Sequence, residues 1–141
     1  MQFGAWAALV AALTASDGGV PVSSVEITVT GLHSQQGSLR LALFSSSAGW
    51  PENDQKALRR VELRIVDGQA RAHFEGLAPG TYAAVAFHDE DADGKLDKNF
   101  LGLPTEGWGA TNQARSPLGP RWESARFTLA DKRALTISIQ Y

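Results

Sequence analysis

Apolar and polar residues alternate with a period of two along several short stretches of the chain. Val25, Ile27 and Val29 fall on one side while Glu26, Thr28 and Thr30 fall on the other, which predicts a half-buried strand ending at Gly31. Leu39, Leu41 and Leu43 alternate with Ser38, Arg40 and Ala42 and predict a second strand that runs out in Ser45, Ser46 and Ser47. Residues 45–60 break the rhythm and predict a loop closing in a short helical turn, with Lys56, Arg59 and Arg60 as solvated surface. Val61, Leu63 and Ile65, then Asp67-Gly68, then Ala70, Ala72 and Phe74 predict a hairpin about an Asp-Gly turn. Residues 81–87 are apolar nearly throughout, so both faces of that strand are expected to be covered and the strand to be central. Two last strands are predicted near residues 125–129 and 135–141, with a turn at Asp131 and Lys132 between them.

Seven strands and one long excursion predict an all-β fold, an immunoglobulin-like or transthyretin-like sandwich with a long acidic and aromatic loop. No strand-helix alternation supports a doubly wound sheet. A length of 141 residues fits one domain. The apolar run at residues 5–13, followed by Thr14, Ala15 and Ser16, reads as a secretory signal at residues 1–16, although no Lys or Arg precedes it. The expected mature domain is residues 17–141, periplasmic or secreted. The run is too short to cross a bilayer, so no stable membrane insertion of the mature domain is expected.

Thirteen Lys and Arg against 15 Asp and Glu give a formal charge of -2, which offers no broad attraction for nucleic acid. The absence of cysteine excludes disulfides and thiolate metal sites. Local chemistry concentrates instead at residues 89–97, where Asp89, Asp91, Asp93 and Asp97 occupy relative positions 1, 3, 5 and 9, with Gly94 at 6. A hard cation needs six to eight oxygens, and this spacing lets a tightly turning chain supply them from carboxylates and from the Lys95 carbonyl. The predicted ligands of calcium are therefore Asp89, Asp91, Asp93, Lys95 and Asp97, with Glu106 or Asn99 folding back to complete the set. Phe100 stands where an EF-hand has its bidentate Glu, which argues against an EF-hand sensor. The competing reading is a solvated Asx-turn without an ion.

His88 precedes the loop and is read as a satisfied structural histidine or as a partner that orients Asp89. Residues 99–122 hold two Trp with little periodicity; Trp108 and Trp122, with Trp50, are read as a satellite core or as a stacking surface for a glycan. The functional classes in view are a structural or binding module of the envelope, with an envelope protein or glycan as partner; a metal-dependent hydrolase using Glu106 and His88; and a carbohydrate-binding module using Trp108 and Trp122.

The run at residues 77–109, with Pro79, Gly80 and Tyr82, then His88-Asp89, Gly94-Lys95, Asp97, Asn99, Gly102 and Pro104, and then Glu106-Gly107-Trp108-Gly109, resembles domain-of-unknown-function family 2141 of bacterial secreted proteins. Asn112 and the final Tyr141 extend the likeness, and Asp93 and Thr111 stand where that family usually has Asn and Ser. The resemblance covers roughly residues 24–141. It implies a periplasmic or secreted product and carries no established activity.

Overall fold

Two β-sheets face each other across the alternating residues. The structure, a computed structural model, describes residues 22–95 and 106–141. Strand β1 (Ser23–Thr30) lies between β4 (Ala70–Leu77), which is antiparallel to it, and β8 (Lys132–Ser138), which is parallel. The second sheet has the order β3 (Arg59–Leu63), β2 (Ser38–Phe44), β5 (Gly80–Asp89), β6 (Trp108–Ala110), and β7 (Phe127–Leu129) pairs with the start of β5. Among the described residues the chain is thus an all-β sandwich of eight strands in two sheets.

The alternation explains the layering. Val25, Ile27 and Val29 of β1 and Leu39, Leu41 and Leu43 of β2 point between the sheets and meet Ala84, Ala86, Phe74, Leu129 and Ile137. Because Leu41 pairs with Ala86 and Leu43 with Ala84, the inward row of β5 continues from Tyr82 through Ala84 and Ala86 to His88. The other face of β5 is covered too. There Ala83 and Val85 pack with Ala110, Ala114 and Ala125, and Trp50 and Trp122 close over them edge to face, their centroids 5.7 Å apart. A strand buried on both faces needs apolar residues at consecutive positions, which is the composition of β5.

Three expectations need correction. Asp67 and Gly68 do form the tight turn, both at positive φ, but β3 and β4 do not pair as a hairpin ladder. A single bridge, Val66 to Gln69, spans the turn, and the two strands then diverge into different sheets. The stretch between the acidic loop and β7 carries structure that its weak periodicity hides: β6, a 3-10 turn at Thr111–Gln113 and the short helix α1 (Trp122–Ala125). Side chains hold it in place. Thr111 Oγ1 donates to the Ala125 carbonyl at 2.6 Å, and Asn112 Nδ2 to that of Arg126 at 2.9 Å. The last strand, finally, starts at Lys132 rather than at residue 135.

The signal at residues 1–16 and the positions Asp97, Asn99 and Phe100 lie outside the described residues. Among the described residues no helix is long and apolar enough to cross a membrane.

Candidate metal centre

The end of β5 turns polar while remaining buried. His88 continues the inward row, and the next residue, Asp89, points to the outer face; both are 0 % exposed. The backbone approach here is close. Gly37, at φ 68, precedes β2, and a Cβ on it would sit 1.9 Å from the Asp89 carbonyl oxygen, so only glycine fits. Extending the β5–β6 register by two residues sets Glu106 opposite Asp89, as the 2.8 Å hydrogen bond from the His88 amide to the Gly107 carbonyl requires.

Asp89 is fixed by donors on both carboxylate oxygens. Oδ2 accepts from Arg40 Nε at 2.7 Å and from the Gly94 amide at 2.8 Å, and Oδ1 accepts from the Asp93 amide at 3.1 Å. Gly94 takes φ 80 to aim that amide inward. Burial pushes the Asp89 carboxyl up, but Arg40, the Gly94 amide, Asp91 and the Asp93 amide outweigh it and hold the group below the usual carboxylate range. Arg40 is raised in turn, chiefly by its hydrogen bond to Asp89, and its Nη2 also lies 3.5 Å from Glu62.

One carboxylate oxygen each from Asp89, Asp91 and Glu106 lies within 4.8 Å of the others. Glu106 is buried and its Oε2 accepts from the Glu90 amide at 3.0 Å. An all-oxygen donor set of this kind suits a hard cation better than zinc or copper. Asp93 stands apart from the group, with Oδ1 accepting from the Lys95 amide at 2.9 Å in an Asx-type turn. The amide of Lys95 is engaged in that turn, and Asp97 lies outside the described residues.

His88 does not orient Asp89, because neighbouring strand residues face opposite ways. Its Nε2 lies 2.8 Å from the Gln36 carbonyl, and its Nδ1 lies 2.7 Å from the Tyr141 hydroxyl. The carbonyl only accepts, so Nε2 carries the hydrogen and Nδ1 accepts from Tyr141. Tyr141 in turn accepts from the His33 amide at 3.1 Å and stacks on the His33 ring at 3.7 Å. The His33 ring pairs with Glu90, Nε2 to carboxylate, at 3.1 Å.

The tryptophans are placed differently from a stacking platform. Trp108 is 9 % exposed, with the Arg115 guanidinium 3.9 Å above its ring, and Trp122 meets Trp50 edge on. The two rings named for a glycan therefore do not form one open, coplanar surface, and Trp50 and Trp122 serve the satellite core.

Over residues 27–137 the chain matches the family described as "Uncharacterized protein conserved in bacteria (DUF2141)". The chain belongs to this family. No curated protein matches it. Among solved structures, a pilus-presented adhesin, Spy0125 (Cpa), aligns at 14% identity and a TM-score of 0.25, over 86% of this chain and 27% of the adhesin chain. In this DUF2141 chain the acidic run was visible from spacing alone, whereas Arg40, 49 residues away from Asp89, was not. Arg40 occupies an ordinary outward position of an alternating strand, and only the β2–β5 register brings it to Asp89. His33 and Glu90 were missed for the same reason.

Proposed function

We propose that the protein is a calcium-binding sandwich module of the bacterial envelope or exterior, in which the ion locks the loop after β5 onto the sheet and so presents a rigid surface to an envelope protein or glycan. The observation that carries the reading is the Asp89, Asp91 and Glu106 group, three carboxylates from two chain segments, with Asp89 held ionised and oriented by Arg40 and two loop amides. Crowded carboxylates repel one another, and a divalent ion removes that cost, which couples binding to loop order. The apolar run at residues 5–13 supports export, and the two facing sheets are compatible with an immunoglobulin-like or transthyretin-like arrangement. Functional loops on a stable scaffold are the usual place for recognition. The hydrolase alternative needs Glu106 and His88 around one metal-bound water, but they fall in separate groups on opposite faces of β5.

The test is calorimetric titration of chelator-treated protein with calcium and with magnesium, alongside thermal unfolding of the wild type and of Asp91→Asn. A dissociation constant in the range of about 10⁻⁴ to 10⁻³ M is expected, typical of extracellular modules. Calcium at a hundred times that value raises stability by about 2.7 kcal/mol. Magnesium binds more weakly because it demands a tighter octahedron. Absence of both binding heat and a calcium-dependent rise in Tm at millimolar calcium refutes the reading.

A further inference from the structure

A second group of ligand-type side chains sits on the inner side of the same strand end. One ring nitrogen each of His33 and His88 and one carboxylate oxygen of Glu90 lie within 4.8 Å of one another. We propose that His33, His88 and Glu90 form a separate site for a borderline transition ion, of which zinc is the representative, distinct from the all-oxygen group on the outer face.

Donor chemistry is the first argument. Two imidazoles and one carboxylate suit zinc, nickel or copper and are poorly matched to calcium. Three protein ligands with one position left open are a common zinc arrangement. Distances are the second. A tetrahedral ion with ligands at about 2.0–2.2 Å holds its donor atoms roughly 3.3–3.6 Å apart. His33 Nε2 already lies 3.1 Å from both Glu90 oxygens, and the His88 nitrogen is within 4.8 Å of both partners, so closing the group around an ion requires His88 and the other two donors to approach by at most roughly 1.5 Å.

The orientation of His88 is the third and independent argument. Metal-binding imidazoles are normally fixed by donating the other ring N–H to a carbonyl or carboxylate. His88 does this toward the Gln36 carbonyl at 2.8 Å, which leaves the Nδ1 lone pair for an ion. That lone pair otherwise accepts from the Tyr141 hydroxyl, which would have to turn away for an ion to take its place or would remain beside the ion as a further oxygen donor. His33 is 51% exposed and offers the route of entry. Without an ion, the same atoms hydrogen-bond among themselves and join the loop after β1, the end of β5 and the end of the chain.

The experiment titrates the full chain with zinc in excess calcium, so that the outer carboxylates are engaged, and records the visible ligand-field bands of cobalt as a probe of nitrogen ligation. One equivalent of zinc is expected to bind to the wild type. His33→Asn, an exposed change that leaves the core intact, is expected to weaken zinc by more than about tenfold while keeping the wild-type calcium response. Asp91→Asn is expected to abolish the calcium response and leave zinc binding unchanged, so the two sites fail separately. His73→Asn is the surface control, because His73 pairs with Glu75 on the other sheet, and it should leave zinc binding unchanged. Absence of zinc binding to the wild type, or loss of binding in Asp91→Asn or His73→Asn but not in His33→Asn, overturns the proposal.

Discussion

At the Phe44 end of the outer face of the five-stranded sheet, Phe44, Ala83, Ala110 and the Trp50 and Trp122 rings exclude water chiefly by hydrocarbon contact, with Trp50 Nε1 donating to the Pro120 carbonyl at 2.8 Å. At the Asp89 end of the same face, Arg40 of β2 pairs with Glu62 of β3 and reaches Asp89 of β5, and Glu106 precedes β6 opposite Asp89. Phe44, Ala83 and Ala110 at one end and Asp89 and Glu106 at the other are buried, but by different means. The apolar end is stabilised by area and packing density, which tolerate small shifts in geometry. The polar end remains buried only because each carboxylate oxygen of Asp89 has a donor, and a buried polar group that loses its partner costs far more than an apolar group that loses a neighbour. A demanding group of this kind at a loop junction ties the order of the loop to the donors that Arg40, Asp93 and Gly94 supply.

The widest separation between the ends is expected from Phe44→Ala. Phe44 is wholly buried and touches Trp50 at a centroid distance of 5.2 Å, so its truncation should cost about 3–5 kcal/mol. Chemical denaturation with and without calcium checks this, and the comparison requires the loss to be the same in both conditions. A loss that calcium largely restores would mean that the two ends are not independent.

Asp89→Asn keeps the shape of the side chain and removes its charge. The cost is expected to be about 1.5–3 kcal/mol, the range for hydrogen bonds to charged groups, and the calcium response should disappear with it. Retention of calcium binding at wild-type affinity would remove Asp89 from the site. The pH dependence follows from the same residue. Its carboxyl lies below the usual range in the folded chain, so its contribution is fully present above the unfolded value of about 3.9 and is lost as pH falls through the lower folded value. In chelator, the Tm of the wild type should therefore drop more steeply below about pH 4 than that of Asp89→Asn. Parallel curves would mean that Arg40 and the loop amides do not hold the charge.

The same contrast explains what could be read from the residues alone. Period-two alternation reports which side chains face a common surface, so residues 25–30, 39–43 and 81–87 announced their strands and the covered faces of β5. It does not report which strands pair. The Asp67-Gly68 turn was legible, but its two arms enter different sheets, because β3 finds β2 and β4 finds β1. The acidic spacing was legible because turn chemistry is local. Arg40, His33 and Gln36 were not, since each meets its partner across at least 49 residues. In β6 and α1, three and four residues long, periodicity has no room to show, and long-range hydrogen bonds from Thr111 and Asn112 replace it.

The smallest effect is expected from Tyr141→Phe, and it tests the inner polar end rather than the outer one. The ring keeps its stacking on His33, so only the hydroxyl is lost, together with its bonds to His88 Nδ1 and the His33 amide. Water can reach this exposed side chain and replace part of what is lost. The cost in chelator should thus be about 0.5–1.5 kcal/mol, that of one ordinary hydrogen bond. Alkaline titration sharpens the test. Burial raises the Tyr141 hydroxyl above its ordinary value, the charge of Glu90 adds to this, and the His33 amide opposes it. A group whose folded value is raised stabilises the fold below its unfolded value, near 10, and loses that contribution as pH rises through the folded value. Wild-type stability should accordingly fall above about pH 10 by more than that of Tyr141→Phe, which has no proton to lose. If the two fall together, the Tyr141 hydroxyl is not kept from water in the folded chain, and its bond to His88 Nδ1 is open to solvent.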